Sequence, residues 1–379
     1  MKIRMRAVAN FRLRRHHLLR EAPADIVTLC RDVCGVQAQV MSAAYLQLRA
    51  RNPAITRAEI ESRLSQSRTI VKTSLMRQTL HLIPTDEFQI YIAAMRQVRI
   101  AGALRVMARF AIARAEAEGL TPIIMEALAV GPLRRAAIAA ALRSKSGKRV
   151  HAWMEACWSH VRLPVAEGLV CYGPAERNDA TFIRVDQWLP KLKRQAISAV
   201  EAQCMLLRKY LRAYGPATIG DFSHWAGLPL REIKTLPALI ENELAEVLLD
   251  GKKCILLRED VALLEKRGEK ETCIRLLPNF DPYLLAHRGK DHLLAREHYK
   301  RVYRNQGWIS PVVLVNGTIA AVWSYELQAK IVTINIEPFG KLSKPQRAAI
   351  KREAENFADF FHRSLILNVA KHIPLQPES

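Results

Sequence analysis

The segment Val36-Gln37-Ala38-Gln39-Val40 sets two side-chain amides two positions apart, with a small apolar residue between them. Each amide offers a carbonyl acceptor and an NH2 donor, and neither titrates near neutral pH. Such a pair can orient a water molecule and stabilise positive charge developing on a substrate. It cannot act as a strong general base. The same spacing also suits helix caps or phosphate contacts, so the motif alone leaves these uses open.

The flanking residues decide whether the two amides can act together. Asp25 to Val33 reads as a helix, and Gly35 suits its left-handed C-terminal cap. Met41 to Arg51 reads as the next helix, with Tyr45 and Leu46 in its middle. Gln37 and Gln39 therefore fall at a helix-to-helix junction. Residues two apart lie on opposite sides of a helix but on the same side of an extended segment. An extended junction would turn both amides toward one pocket.

Other catalytic patterns are missing. The sequence has no Walker A loop, GxGxxG, HExxH or GxSxG. It has no CxxC pair and no Cys/His spacing suited to zinc or an iron–sulfur cluster, so neither metal nor cofactor is expected. His16-His17 reads as a solvated basic helix face. The 7 cysteines are scattered and fit free thiols in a reducing compartment, with Cys30 and Cys34 as core thiols on one helical face.

Charge narrows the partner. The 379-residue chain carries 58 Lys+Arg against 36 Asp+Glu, a formal net charge of +22, while 50% of its residues are hydrophobic. It is thus a folded, strongly basic protein whose charge calls for a polyanion. Nucleic acid is the first candidate and an anionic membrane surface the second. No apolar run approaches the roughly 18 residues of a membrane span. The basic N-terminus (Lys2, Arg4, Arg6, Arg12, Arg14, Arg15) lacks the apolar core of a secretory signal, although an organellar presequence stays open. A cytoplasmic, nucleoid-associated location is expected.

A weak internal repeat organises the first two thirds. Thr56-Arg57-Ala58-Glu59-Ile60 leads to Leu64, Arg134-Arg135-Ala136-Ala137-Ile138 to Leu142, and Thr218-Ile219-Gly220-Asp221-Phe222 to Ala226. Each puts two apolar residues on one face of a short helix. In two copies a Thr followed three positions later by an acid caps the helix start. Gly131-Pro132 and Gly215-Pro216 stand at the same offset before the second and third copies. Each copy precedes a pair of strands. Thr69–Ser74 and Gln78–Ile83 follow the first. A helical stretch around Trp153–His160, then strands near Gly168–Tyr172 and Thr181–Val185 joined by a polar loop from Gly173 to Ala180, follow the second. The run Val247–Leu257, turning at Asp250-Gly251, follows the third. Helix, turn, helix and hairpin make a winged helix. Phe222 and Trp225 sit at helix-core spacing and read as packing.

The last third is β-rich. Arg275–Leu277, Pro311–Val315, Thr318–Trp323 and Ile331–Ile336 read as strands, with a type I′ hairpin signal at Asn316-Gly317. Lys344–Asn368 reads as one long terminal helix with Ile350, Phe357, Phe360, Phe361 and Leu365 on its apolar face. The expected result is a small β-barrel or curled sheet closed by a helix. Lys72, Arg77 and His81 on the first hairpin are candidates to hold nucleic-acid phosphate. Arg288-Gly289-Lys290 forms a polar loop whose Arg288 and Lys290 are candidates to touch DNA.

The chain resembles the AlkZ-type winged-helix DNA glycosylases of bacteria, in the branch with two glutamines. Four stretches carry the resemblance in order. They are Val36-Gln37-Ala38-Gln39 with Tyr45-Leu46-Gln47-Leu48-Arg49-Ala50-Arg51; Leu75-Met76-Arg77-Gln78-Thr79-Leu80-His81-Leu82; Tyr214-Gly215-Pro216-Ala217-Thr218 with Asp221-Phe222 and Trp225; and Leu277-Pro278-Asn279-Phe280-Asp281-Pro282. The match runs from about residue 10 to 340 and so covers most of the chain.

The resemblance implies an α+β fold of three tandem winged helices with a C-terminal β-barrel and terminal helix, forming a basic concave surface around duplex DNA. The expected domains are 1–115, which carries the glutamine motif, 116–192, 193–265 and 266–379. Gln37 and Gln39 take the catalytic role. The implied activity is monofunctional hydrolysis of the N-glycosidic bond of alkylated purines such as N7-alkylguanine and N3-alkyladenine, extending to interstrand crosslinks or bulky adducts. No strand cleavage is expected, and the chain is expected to act as a monomer. A non-catalytic winged-helix DNA-binding protein, regulatory or architectural, is the alternative.

Overall fold

The computed structural model describes residues 2–156, 160–176, 179–192, 196–265 and 272–370. Two compact units emerge. The first comprises Met1–Ile60, Arg208–Trp225 and Pro237–Ser379, and the second Glu61–Leu207 and Ala226–Leu236.

The first unit is built on an open five-stranded sheet. Its order is Ile274–Leu277, Val312–Val315, Thr318–Leu327, Ile331–Pro338 and Ser364–Val369, with only the last pair parallel. Asn316 (φ 51°) and Gly317 (φ 89°) make the expected tight turn, since both central positions of a type I′ hairpin need positive φ. Of the small β-barrel or curled sheet expected, the structure has a half-barrel sheet: it ends at Ile274–Leu277 and Ser364–Val369, and among the described residues no strand pairing joins these edges.

The terminal helix is likewise shorter than expected. It spans Lys344–Phe361, starts in a capping box between Ser343 and Gln346, and stops where His362 turns left-handed (φ 53°, ψ 49°). Ser364–Val369 is then a strand parallel to Ile331–Ile336. Its Leu365, Leu367 and Val369 pack on the core while the alternate residues are exposed. Ile350 and Phe357 are fully buried on the helix, and Trp323 stacks on Phe357 with ring centroids 5.4 Å apart. Leu46 and Ala50 of the Met41–Arg51 helix belong to the same core, which fixes that helix against the sheet.

A smaller sheet in this unit pairs Leu244–Leu249 with Lys252–Leu257 through Asp250 (φ 48°) and Gly251 (φ 76°). Lys2–Ile3 adds in parallel at its edge, a strand the sequence does not announce. The helix Ile219–Ala226 starts as expected: Thr218 and Asp221 cap each other, with Asp221 N–H donating to Thr218 Oγ1 at 3.1 Å and Thr218 N–H to Asp221 Oδ2 at 3.0 Å. Phe222 and Trp225 are packing residues, stacked on each other and close to Tyr210.

In the second unit the strands run in the order Leu80–Pro84, Ile70–Ser74, Val170–Tyr172, Thr181–Arg184 and Leu133–Arg134. The 21-residue helix Phe88–Ala108 contributes Ala103 and Met107 to a core shared with Ile138, Leu142, Val150 and Trp153. The helix Lys148–Ala156 covers the start of the stretch expected around Trp153–His160. Positions 157–159 of that stretch and 177–178 of the following loop lie outside the described residues.

Among the described residues, no helix is long and apolar enough to cross a membrane. The six described cysteines are all buried, including Cys30 and Cys34, and no disulfide joins any of them among the described residues.

Candidate active site

The helix preceding the glutamine motif spans Ile26–Asp32, and the Asp25 carboxylate caps it by accepting from Thr28 N–H at 2.8 Å. Its end is a Schellman turn: Gly35 N–H donates to Cys30 O at 2.8 Å and Cys34 N–H to Arg31 O at 3.2 Å. The left-handed cap position is Cys34 (φ 56°), with Gly35 following at φ 96°. The sequence reading thus placed the turn correctly and the cap one residue late. After it the backbone is extended at Val36–Gln37 and again at Val40, which leads into the helix Met41–Arg51.

Gln37 and Gln39 emerge from this junction at different depths. Gln37 is buried at 6% exposure, and its side-chain carbonyl oxygen has no hydrogen-bond donor from the protein. Gln39 is exposed. A buried acceptor left without a protein donor costs about 1–3 kcal/mol, which a fold tolerates where something else uses the group. One amide is therefore held inside the protein with acceptor capacity to spare, and the other lies at the surface two positions on.

The Gln37 main chain is clamped from behind. The fully buried Gln47, on the Met41–Arg51 helix, donates through Nε2 to Gln37 O at 3.2 Å and to Asn279 O at 3.1 Å. One turn later Arg51 donates to both carboxylate oxygens of Asp281 at 2.8 Å, with both side chains fully buried. Arg51 Nη1 also reaches Gln47 O at 2.9 Å. Asp281 in turn caps the short helix Pro282–Leu285 by accepting from Tyr283 N–H. Phe280 between these anchors takes a left-handed φ of 59°, which a non-glycine residue adopts only when its surroundings enforce it.

His16 closes the cluster and corrects an expectation. It is fully buried, not solvated, and lies 3.4 Å from Arg51 Nη2 and edge-on to Tyr214 and Tyr283. Burial and the neighbouring Arg51 charge hold its imidazole well below the ordinary range, so it is neutral. His17 pairs with Asp32 at 2.7 Å. Arg12, from the basic N-terminal run, is also buried and donates to the carbonyls of Tyr214, Gly215 and Pro216. Part of the N-terminal positive charge is thus structural.

The other candidate residues divide by accessibility. In the first unit Arg288 is exposed, and its main-chain N–H donates to Asp221 Oδ1 at 3.0 Å. Lys290 is buried, with its ammonium donating to Leu284 O at 2.9 Å and to His287 O. In the second unit Lys72 is half-buried beneath Tyr172, and burial pushes its ammonium down to about 8. Arg77 sits at a left-handed turn position (φ 51°) against which Gly227 packs, where an added Cβ would come within 3.1 Å of Arg77 N. His81 is buried, donates through Nδ1 to Thr79 O at 3.0 Å, and is pushed down to about 3 by burial.

Gln47, Arg51, Asn279 and Asp281 are the residues that sequence reasoning did not single out. They lie in two of the four stretches that carry the resemblance, Tyr45–Arg51 and Leu277–Pro282, and the structure bonds those two stretches together. The available signal was an arginine at the end of an apolar helix and an Asp-Pro pair entering another.

A family model for "DNA glycosylase AlkZ-like" matches residues 30–360, a span containing the glutamine motif and both stretches that support it. The chain belongs to the AlkZ-like DNA glycosylase family. It is similar to the interstrand DNA cross-link repair glycosylase of Streptomyces sahachiroi, with 30% identity over 372 residues that cover 94% of this chain and 96% of the relative. The solved structure of the Streptomyces sahachiroi DNA glycosylase AlkZ superposes with a TM-score of 0.86 at 28% identity, covering 98% of this chain and all of that one. This AlkZ-like chain is thus an enzyme of the DNA glycosylase class with a mixed α+β fold.

Proposed function

We propose that this AlkZ-like glycosylase hydrolyses the N-glycosidic bond of alkylated purines in duplex DNA, using Gln37 and Gln39. The observation that carries the reading is the buried Gln37 carbonyl with no protein donor, on a main chain clamped by Gln47.

A purine alkylated at N7 or N3 already carries positive charge, so its glycosidic bond is weakened and the base leaves without a protonating acid. What remains for the enzyme is to hold water near C1′ and to stabilise an oxocarbenium-like sugar, as in other glycoside hydrolysis. Two oriented carboxamides suffice for that. Their oxygens face developing positive charge, and neither must change protonation state. Water adds to C1′, its proton passes to solvent, and the base departs with the electron pair of the broken C–N bond. The product is an abasic site. With no amine nucleophile assigned to attack C1′, the strand stays intact.

The same reading extends to bulky adducts and to interstrand crosslinks, the latter being what the name of the Streptomyces sahachiroi relative specifies. We assign the three helix–turn–hairpin repeats to winged helices within the boundaries 1–115, 116–192 and 193–265, with 266–379 as the sheet domain. Lys72, Arg77 and Arg288 are the proposed DNA contacts among the accessible candidates. His81 and Lys290 are buried and take no part in the proposal. The deciding experiment incubates duplex DNA containing N7-methylguanine with the protein and measures free base. Released N7-methylguanine and alkali-labile sites are expected, and intact DNA at stoichiometric enzyme would refute the activity.

A further inference from the structure

A cleft of about 540 Å³ opens in the first unit beside Asn279, the residue whose carbonyl accepts from Gln47. One wall is the strand Thr318–Leu327 at Val322 to Tyr325. The other is the short segment from Lys300 to Trp308. That segment is tightly built. Tyr303 and Ile309 form a β-bridge, Arg304 N–H donates to Trp308 O at 2.8 Å, and the tip residues Gln306 and Gly307 are both left-handed. Asn279 Nδ2 donates to Ile309 O at 2.9 Å, so the turn is tied to the same asparagine that Gln47 holds.

The lining chemistry is specific. Arg301 is neutralised by Glu337 at 3.1 Å and lies over the Phe339 ring. Lys300 and Arg304 are exposed and have no acidic partner among the described residues. Trp308 lines the same cleft as these two cations, 44% exposed and packed edge-to-face against Phe280 at a centroid distance of 5.1 Å. The other described tryptophans, Trp153, Trp188, Trp225 and Trp323, are all buried. Trp308, next to the tip of a rigid, hydrogen-bonded turn, is held with much of its indole open to solvent and so free to take a stacking partner. Two exposed cations and an exposed indole in one cleft are the combination that takes a nucleotide, with phosphates on the charges and a base on the ring.

We propose that this cleft binds one to two nucleotides of DNA, with Lys300 and Arg304 holding phosphates and Trp308 stacking on a base or on an abasic gap. This deepens the glycosylase reading, on which it rests for DNA as the ligand. The bonds from Asn279 to Ile309 and from Gln47 to Asn279 and Gln37 would place the bound nucleotide at a fixed offset from the glutamine motif.

The test titrates the full-length protein with a duplex carrying a tetrahydrofuran abasic-site analogue, following tryptophan fluorescence and affinity against salt. We expect quenching that Trp308→Phe abolishes, and a roughly tenfold loss of affinity in Trp308→Ala from lost stacking. Lys300→Ala with Arg304→Ala should lower the slope of log K against log salt by about 1.8, or roughly 0.9 per phosphate contact. Undiminished quenching in Trp308→Phe, or an unchanged salt slope in the double variant, overturns the site. Base release by the wild-type protein is read separately. Quenching that depends on Trp308 without any base release would sink the glycosylase reading alone, and base release with unchanged quenching would sink the cleft alone.

Discussion

Gln47 Nε2 donates to the main-chain carbonyl of Gln37 at 3.2 Å, so a fully buried amide inside one helix fixes the peptide that carries the catalytic candidate. The same nitrogen bonds Asn279 O, which ties the junction to the segment beginning the Asp281 anchor. Positioning is central to a mechanism that uses neutral groups, because an amide that drifts has no charge to compensate with. A displacement of about 1 Å can lower a rate by about a hundredfold.

Gln47→Leu is therefore expected to lower the single-turnover excision rate by about ten- to a hundredfold while keeping duplex affinity within about threefold. Gln47→Asn, which preserves the donor on a shorter arm, should recover part of the rate. Rapid-quench kinetics on N7-methylguanine DNA read both. Equal losses in rate and affinity, with no recovery in Gln47→Asn, would mean that Gln47 is a general packing residue only.

The Arg51–Asp281 pair is fully buried and bidentate, so removing one partner strands a charge in the core. Asp281→Ala should destabilise the protein by about 3–5 kcal/mol in denaturant unfolding. The double change Arg51→Met, Asp281→Ala should cost less than Asp281→Ala alone, since no unpaired charge then remains. Additive losses would contradict the assignment.

Four histidines, His16, His81, His287 and His292, are held neutral by burial, with His81 and His292 pushed down to about 3. An unfolded imidazole protonates near pH 6.5, so below that pH the unfolded chain binds protons that the native state refuses. Stability should accordingly fall as pH drops from about 6.5 toward 3, by about 1.4 kcal/mol per pH unit for each of His81 and His292, with His16 and His287 acting in the same direction. Thermal unfolding between pH 7 and 4 measures it. A flat profile would show that these rings titrate normally.

Burial shifts Lys72 in the same direction, with its consequence for binding at higher pH. Burial pushes its ammonium down to about 8, so the free protein loses this cation as pH rises through that value. If Lys72 contacts phosphate, duplex affinity should weaken between pH 7 and 9, with proton uptake on binding, and Lys72→Met should remove that dependence. A pH profile identical in Lys72→Met and wild type would exclude Lys72 from the interface.

Local signals in the sequence located most elements of this fold. The Asp250-Gly251 and Asn316-Gly317 turns appear where residue type demands positive φ, and Met41–Arg51 is helical as its apolar spacing indicates. The error at Ser364–Val369 has a physical cause. No Gly or Pro marks the helix end, which is a left-handed His362, and the run Leu365, Leu367, Val369 becomes a strand by pairing with Ile331–Ile336. That partner is remote in sequence and invisible to a local reading. The site follows the same pattern. Gln37 and Gln39 were legible as a motif, whereas the Gln47–Asn279 and Arg51–Asp281 bonds join segments more than two hundred residues apart. Buried His16 and Arg12 looked like surface charge for the same reason, because their partners come from distant carbonyls and rings.

The central claim is most directly tested by excision of N7-methylguanine from duplex DNA by the double variant Gln37→Ala, Gln39→Ala under single-turnover conditions, alongside its duplex affinity. The account predicts that base release disappears while affinity stays within about threefold of wild type. Release at the wild-type rate, or a collapse of binding with excision intact at saturating enzyme, would contradict it.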